Sequence, residues 1–397
     1  MIYNTFQEKE LSRLGFGMMR LPVKEDGSID QEHVNRMVDY AIAHGVNYFD
    51  TAYPYHGGKS EIAAGIALGR YPRESYCLAT KYPGHQRSSF ITPERIFPEQ
   101  LEKCGVDYFD FYLLHNVNEA SLGTYLDESN GIMEYFLEQR RTGKIRHLGF
   151  SCHANPENLK LFLDRYGDEM EFCQIQLNYL DWTLQNAKLK YEMLTERGIP
   201  VWVMEPVRGG KLASLSDADT ARLKALRPEE SIPAWCFRWL QGLENVKMIL
   251  SGMSCLEQME DNVRTFEECR PLSEQENETL QSIAEGMKNS VPCTGCRYCC
   301  DGCPMGLNIP TLISSYNQVR FAPENTMQIS IFLESLPDEK KPSACIGCGA
   351  CMHACPQNIE VPKILRSLAE AYETMPKWSE ICRQREEAAR AMQKNKE

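Results

Sequence analysis

Eight short apolar segments recur between residues 12 and 270, each separated from the next by an amphipathic stretch. They are rich in apolar, β-branched and aromatic residues and too short for average helices, so each is predicted to be a strand. The segments read LGFGMM, VNYFDTA, SYCLATKY, FDFYLLH, IRHLGFS, EFCQIQLNY, PVWVMEP and VKMILSG. Intervening stretches such as QEHVNRMVDYAIAHG are helix-like, and several end at glycine, a common helix stop. Eight strands alternating with helices over about 250 residues predict a (β/α)8 TIM barrel.

The alternative to a barrel is a doubly wound open sheet. That fold would predict a G-x-G-x-x-G turn after the first strand, and LGFGMMRLP does not supply one. The alternation stops near residue 270, where a polar, helix-like connector begins. We therefore expect a barrel over residues 1–270, a connector and a mostly helical cysteine-rich domain over 271–377, and a charged helical tail over 378–397.

Charge and hydropathy narrow the classes of protein. The net charge of −12 argues against a nucleic-acid partner, because phosphate binding needs clustered Lys and Arg. No run of about 18 apolar residues predicts a membrane span. The first residues, MIYNTFQEKELSR, lack the apolar region of a signal peptide. The expectation is a cytoplasmic protein without a membrane partner.

Cysteine is abundant and clustered. Of 17 cysteines, nine fall between Cys293 and Cys355, which points to metal binding in a cytosolic chain. The run CIGCGACMHACP has the spacing C-x2-C-x2-C-x3-C-P of bacterial ferredoxins with [4Fe–4S] clusters. The earlier run CTGCRYCCDGCP has the same spacing if Cys300 is skipped. The predicted ligands are Cys293, Cys296, Cys299, Cys303, Cys345, Cys348, Cys351 and Cys355.

Two questions about these ligands follow. A zinc site pairing Cys293 and Cys296 with Cys300 and Cys303 is the rival interpretation, which the second matching motif disfavours. In two-cluster ferredoxins the fourth cysteine of each run ligates the other cluster. We therefore expect crossed ligation, in two sets: Cys293, Cys296, Cys299 with Cys355, and Cys345, Cys348, Cys351 with Cys303.

Polar residues stand at the ends of successive predicted strands. Asp50 ends NYFD, Lys81 ends CLATK and His115 ends FYLLH, while Tyr55 follows in the loop after Asp50. Barrel enzymes place their chemistry at the C-terminal ends of the strands. One such residue is weak evidence, but four in consecutive units predict an active site.

With these residues in view, the chain resembles the aldo-keto reductase superfamily over about residues 10–265. The resemblance rests on FDTAYPYHGGKSE, ATK, DYFDFYLLH, GKIRHLGFS and SGMSCLEQMEDN. It implies reduction of a small carbonyl, or oxidation of an alcohol, with a nicotinamide cofactor and the tetrad Asp50, Tyr55, Lys81 and His115. Hydride addition leaves negative charge on oxygen, so a proton donor is needed. Tyr55 would be that donor, Lys81 would lower its pKa, Asp50 would keep Lys81 charged, and His115 would orient the carbonyl.

The same resemblance implies a cofactor site. Ser151 and Gln174 would hold the nicotinamide carboxamide, and Met204 stands where an aromatic platform is usual. The remaining implied residues, for the pyrophosphate and the adenine end, are Pro206, Val207, Gly209, Gly210, Ser251, Gly252, Gln258 and Asn262. Arg208 and Lys211 would add charge or be solvated. No basic residue lies between Ser251 and Asn262, so an NADP preference is in doubt because a 2′-phosphate would lack a charge-assisted partner.

The cysteine-rich part resembles the α-helical ferredoxin domains of succinate-dehydrogenase-like subunits, and its fusion to such a barrel occurs in bacteria and archaea. Three functions stay open. The barrel could use nicotinamide while the clusters are structural or an electron port; a ferredoxin- or flavoprotein-type partner could feed the clusters without soluble NAD(P)H; or the chain could be an electron carrier on a degenerate barrel. Coupling one-electron clusters to hydride chemistry normally needs a flavin, for which the sequence shows no clear signature.

Overall fold

The computed structural model describes residues 1–85, 91–119, 121–287, 291–321, 326–377, 379, 380 and 383. The chain divides into two compact units, residues 1–288 and residues 289–397. Each unit has its own hydrophobic core.

The first unit is a closed parallel barrel. All eight predicted strands form it, so the barrel expectation is confirmed. The barrel follows the order β10-β3-β4-β5-β6-β7-β8-β9. The strands are β1 (Tyr3–Phe6), β2 (Lys9–Ser12), β3 (Leu14–Gly17), β4 (Tyr48–Asp50), β5 (Cys77–Tyr82), β6 (Phe109–Val117), β7 (Ile145–Cys152), β8 (Cys173–Gln176), β9 (Val201–Met204) and β10 (Val246–Ser251).

Helices surround the barrel strands. Several start where a side chain caps the helix, as the Asp30 carboxylate does by accepting from the His33 N–H. The helices of this unit are α1 (Gln31–Ala43), α2 (Ser60–Leu68), α3 (Pro93–Cys104), α4 (Leu122–Leu126), α5 (Ile132–Arg141), α6 (Pro156–Tyr166), α7 (Asp181–Leu184), α8 (Ala187–Glu196), α9 (Asp217–Leu226), α10 (Ile232–Gln241), α11 (Leu256–Thr265) and α12 (Glu274–Met287).

An N-terminal hairpin precedes the barrel and was not predicted. β1 and β2 pair antiparallel, and the Phe6 side chain enters the barrel core. Its ring lies 5.0 Å from Trp202 and 5.7 Å from Phe111 between centroids. Such aromatic contacts stabilise a fold by more than the burial of their apolar area alone. The hairpin therefore closes one end of the barrel with packed side chains.

The predicted connector is the helix α12. Its buried residues Leu280, Ile283 and Ala284 belong to the barrel core, and Glu276 pairs with Arg227 on the barrel side. The compact units accordingly divide after residue 288, beyond this helix.

The second unit is helical among its described residues. Its helices are α13 (Tyr298–Asp301), α14 (Ile309–Phe321), α15 (Met327–Ser335), α16 (Ala350–Ala354) and α17 (Val361–Thr374). The helices α14 and α17 each follow one cysteine motif and pack together around Leu312, Leu365 and Leu368. Of the predicted tail, 378–397, only residues 379, 380 and 383 are described. No helix among the described residues is long and apolar enough to cross a membrane.

Candidate active site and cysteine-lined cavities

The four predicted catalytic residues lie on neighbouring elements at one end of the barrel. Asp50 ends β4, Lys81 is in β5, and His115 is in β6. Tyr55 begins a short helical turn after β4. The pairing of β6 with β7 is irregular after Leu114, so the backbone departs from a regular strand where His115 lies. Parallel strands in register therefore bring these side chains to one place.

Lys81 is the centre of the arrangement. Its Nζ donates to Asp50 Oδ1 at 2.5 Å, to the Thr51 carbonyl at 2.7 Å, and to the Tyr55 hydroxyl oxygen at 3.4 Å. Lys81 is fully buried and Asp50 nearly so. The second carboxylate oxygen of Asp50 has no hydrogen-bond partner among the described residues. Lys81 thus joins the carboxylate to the phenol in one chain of contacts.

Burial and pairing oppose each other in this ion pair. Burial lowers the pKa of Lys81, and the adjacent Asp50 carboxylate opposes that shift. Burial raises the pKa of Asp50, and Lys81 opposes it in turn. Removing either partner would leave a buried charge uncompensated, which is costly. Each side chain therefore opposes the pKa shift that burial imposes on the other.

His115 completes the site, and a second histidine packs against it. The His115 ring lies 5.8 Å from the Tyr55 ring and 4.8 Å from the His85 ring, edge to face in both cases. Burial lowers the pKa of His115 well below its usual value, and burial lowers that of His85 to about 4. Both imidazoles are therefore neutral near pH 7, so His115 offers a hydrogen bond rather than a charge. Sequence reasoning missed His85, whose only signal is its place four residues after Lys81.

The predicted carboxamide residues lie on adjacent strands, with Ser151 paired to Gln174 across β7 and β8. The hydroxyl of Ser151 already accepts from the Asn116 N–H at 2.8 Å. The side-chain oxygen of Gln174 is buried without a partner among the described residues. Buried acceptors are almost always satisfied, so this oxygen is suited to a ligand amide.

The predicted pyrophosphate loop follows β9, which Met204 ends. Pro206 and Val207 come next. Four residues of this loop have positive φ: Glu205, Arg208, Gly209 and Gly210. The Arg208 side chain neither lines a phosphate nor is solvated: it is fully buried, and its Nε lies 3.0 Å from both oxygens of Asp181. A buried ion pair therefore anchors the loop, and the N–H groups of Arg208 and Gly210 donate to the carbonyls of Glu205 and Val207.

We expect Arg208→Met to destabilise the barrel. Both members of the Arg208–Asp181 pair are fully buried, so the variant leaves a buried carboxylate, at a cost of about 3–5 kcal/mol. The Arg222–Asp219 pair is partly exposed, and Arg222→Met is its matched control, with an expected cost under about 1 kcal/mol. Urea denaturation followed by circular dichroism measures both. Equal costs would contradict the assigned role of the buried pair.

A pair that the sequence did not indicate lies beside this loop. Arg20, after β3, donates to Glu205 at 3.1 Å, and the aliphatic part of Arg20 lies over Gly252. Burial raises the pKa of Glu205, and Arg20 opposes the shift. The pair links the loops after three barrel strands.

The predicted adenine-end residues are largely engaged within the chain. Asn262 donates to the Ser251 hydroxyl at 3.0 Å, and Gln258 accepts from the Ser254 N–H at 2.8 Å. Gly252 follows β10, and Cys255 precedes the first turn of α11. No arginine or lysine stands in this stretch, as the sequence shows.

The eight predicted cluster cysteines line two cavities in the second unit. A cavity of about 320 Å³ is bordered by four of them, Cys303, Cys345, Cys348 and Cys351. A cavity of about 300 Å³ is bordered by the other four, Cys293, Cys296, Cys299 and Cys355. Each cavity therefore takes three cysteines from one motif and the fourth from the other. Cys300 borders neither, which disfavours the zinc interpretation.

The two motifs have matching backbones. Gly295 and Gly347 occupy the same motif position with φ of +68° and +70°, a region that favours glycine. The next pair, Arg297 and Gly349, also matches, with φ of +68° and +78°, and each directly precedes a short helix. The Gly295 N–H donates to the Cys293 sulfur at 3.4 Å. Such donors stabilise a thiolate ligand. The repeat extends to the following helices, α14 and α17.

Family models match both parts of the chain. The model of the aldo/keto reductase family matches residues 13–285. The chain belongs to the aldo/keto reductase family. The model of a 4Fe-4S dicluster domain matches residues 292–360. This member is therefore an oxidoreductase in which a reductase barrel precedes an iron–sulfur domain.

Two curated proteins are each similar over 70% of this chain. The NADH-specific methylglyoxal reductase of Escherichia coli (strain K12) is 25% identical, covering 70% of this chain and 96% of its own. The L-galactose dehydrogenase of Arabidopsis thaliana is 26% identical, covering 70% and 92%. Among solved structures, the holo form of aldo-keto reductase AKR11C1 from Bacillus halodurans has a TM-score of 0.58 and 25% identity, covering 71% of this chain and 96% of that one.

Proposed function

We propose that the barrel transfers hydride between a nicotinamide cofactor and a small carbonyl or alcohol, with Tyr55 as the acid–base group. The contact of Lys81 with both Asp50 and Tyr55 carries this proposal. The C-terminal unit would hold two [4Fe–4S] clusters on the eight motif cysteines.

The chain's own residues supply the proton chemistry. Tyr55 would give its proton to the carbonyl oxygen as charge develops there. The Lys81 ammonium, 3.4 Å from the phenol oxygen, would stabilise the resulting phenolate. Neutral His115, held edge-on by His85 at 4.8 Å, would donate to the same carbonyl oxygen and fix its direction. When bound, nicotinamide would supply or accept the hydride.

Gln174, Ser151 and the loop Pro206–Gly210 would hold this cofactor. The unpaired side-chain oxygen of Gln174 fits the amide N–H of a carboxamide. Since no cation stands between Ser251 and Asn262, we propose NAD(H) rather than NADP(H). The NADH-specific relative is consistent with this choice.

We expect Cys255→Arg to improve the use of NADPH. Cys255 directly precedes α11, where an added guanidinium would meet a 2′-phosphate with a charge-assisted bond of about 1.5–3 kcal/mol, or about 10- to 100-fold in kcat/KM. The kcat/KM values for NADH and NADPH measure the change. Cys269→Arg, at an exposed cysteine outside the predicted cofactor residues, is the control. An unchanged ratio in Cys255→Arg would argue against this position for the adenine end.

A second function is favoured by the two cysteine-lined cavities. Clusters there would pass single electrons, so a protein carrier could drive substrate reduction without soluble nicotinamide. The electron-carrier alternative on a degenerate barrel is disfavoured because all four tetrad side chains are brought together.

Anaerobic purification tests these proposals. Iron and sulfide are measured, bound flavin or nicotinamide is extracted, and NADH oxidation is followed with methylglyoxal as the probe carbonyl. Carbonyl-dependent NADH oxidation that is independent of cluster redox state supports the first function. Reoxidation of reduced clusters by the carbonyl without nicotinamide supports the second. If the protein contains no iron after anaerobic purification, the cluster assignment is wrong.

A further inference from the structure

The strand β6 has a β-bulge where His115 lies. Between Leu114 and Val117, β6 advances by three residues while β7 advances by two. His115 and Asn116 lie in this bulge, and Asn116 has a φ of +60°, which is uncommon for a residue with a side chain. Such a conformation persists only where the surrounding structure holds it. The groups that hold the bulge therefore also set the position of His115.

Three hydroxyl groups bind backbone atoms of the bulge. The Asn116 N–H donates to the Ser151 hydroxyl at 2.8 Å, and the Asn116 carbonyl accepts from the Ser121 hydroxyl at 2.7 Å. The His115 carbonyl accepts from the Tyr125 hydroxyl at 2.6 Å. Both bulge residues are buried, and buried backbone groups outside a strand ladder need such partners. Tyr125 therefore holds the residue that carries the imidazole.

Tyr125 is itself fixed in place. It is fully buried in the short helix α4, and its side chain packs on Gly84. A Cβ added to Gly84 would lie 2.7 to 2.8 Å from three atoms of the Tyr125 side chain, so this close approach needs glycine. His85, the next residue, lies edge to face against the His115 ring at 4.8 Å. Tyr125 therefore contacts both the backbone of His115 and the segment that carries His85.

We propose that Tyr125 is a positioning residue for His115, fixing the direction in which the imidazole donates to the substrate carbonyl. The inference rests on the proposed function, in which neutral His115 orients that carbonyl. It adds a residue outside the tetrad that acts on the reaction through the backbone of His115.

Small displacements of His115 are expected to have large effects on the rate. A hydrogen-bond donor stabilises the developing charge only where it is aligned with the carbonyl oxygen. A displacement of about 1 Å lowers a rate by up to about 10²-fold. Tyr125→Phe takes the hydroxyl from the buried His115 carbonyl and keeps the ring against Gly84. Because a buried carbonyl that loses its donor is unfavourable, we expect the bulge to shift and to carry the imidazole with it.

The test uses the full chain, purified anaerobically, with NADH and methylglyoxal. Tyr125→Phe removes the hydroxyl, and Gly84→Ala keeps the hydroxyl but displaces the ring, so misfolding of one variant still leaves the other. Tyr191→Phe is the matched control, because its hydroxyl accepts from the Asn245 N–H at 3.0 Å, before β10 and away from the tetrad. His115→Ala, alone and combined with Tyr125→Phe, completes a double-mutant cycle. NMR spectroscopy of histidine-labelled protein follows the imidazole signal of His115, which His115→Ala identifies.

For Tyr125→Phe and Gly84→Ala we expect kcat to fall by about tenfold or more, while the Kd for NADH stays within about twofold of wild type. In the His115→Ala background, Tyr125→Phe should change kcat by less than about twofold, because no imidazole is left to position. The His115 signal should move in Tyr125→Phe and keep its place in Tyr191→Phe.

A wild-type kcat in Tyr125→Phe, or an equal loss in Tyr191→Phe, would overturn the inference. So would a loss of about tenfold that persists in the His115→Ala background, because Tyr125 would then act by another route. An unmoved His115 signal in Tyr125→Phe would overturn it as well, and this measurement needs no turnover. Absence of NADH-dependent carbonyl reduction by the wild type would instead contradict the proposed function.

Discussion

Tyr55→Phe is expected to lower the rate of carbonyl reduction by about 10²- to 10⁴-fold while nicotinamide binding persists. The phenol hydroxyl is the group that Lys81 contacts at 3.4 Å, and phenylalanine removes it with little change in packing. Single-turnover absorbance at 340 nm measures the rate, and quenching of protein fluorescence by NADH measures binding.

Tyr53→Phe is the matched control for this variant. Its hydroxyl donates to the Glu99 carboxylate at 3.2 Å, and its ring lies 4.1 Å from Lys103 Nζ, so it is engaged away from the tetrad. We expect kcat to stay within about threefold of wild type, because this variant loses only one hydrogen bond away from the tetrad. Near-normal turnover in Tyr55→Phe would end its assignment as the acid–base group.

The proposed crossed ligation of the cysteines predicts an equally large effect on iron content. In a Cys293→Ala/Cys296→Ala background, the cavity of the first motif loses its cluster and about four irons per chain remain. Adding Cys303→Ala should then remove the remaining iron, because Cys303 lines the other cavity. Adding Cys355→Ala should leave the iron content unchanged.

Uncrossed ligation gives the opposite pattern, with Cys355→Ala removing the remaining iron and Cys303→Ala neutral. Iron analysis and the visible spectrum distinguish the two outcomes. Cys300→Ala in the otherwise unchanged chain is the control. It borders neither cavity, so about eight irons per chain are expected to remain.

The strands could be predicted because the barrel strands are buried along most of their length. Every residue of β5 and of β6 is buried, so apolar residues dominate both strands and stand out in the sequence. The hairpin of β1 and β2 was missed for the opposite reason. Its two strands are partly exposed, and they give Phe6 and Leu11 to the barrel core. Two isolated apolar residues in a polar stretch carry no period that could reveal a strand.

The pyrophosphate loop shows where sequence reasoning fails on a side chain. Arg208 next to two glycines is typical of a phosphate site, and its charge could be expected to point outward. The structure turns it inward because Asp181, with Gln176 and Asn178 donating to the same carboxylate at 2.7 Å, offers a buried acceptor. That acceptor lies 27 residues away in the chain. No local pattern connects the two.

The sequence by itself determined the barrel, and it predicted the four candidate tetrad residues and the eight candidate cluster ligands. Strand burial and cysteine spacing are local patterns, and the four tetrad residues follow strand ends whose order along the chain is also their order around the barrel. Only the tertiary structure decided the contacts between distant side chains. It placed His85 against His115, buried Arg208 on Asp181, and left Ile346 exposed where Thr294 is covered. The physical reason is that burial and pairing depend on which surfaces meet, and matching motifs can meet different surfaces.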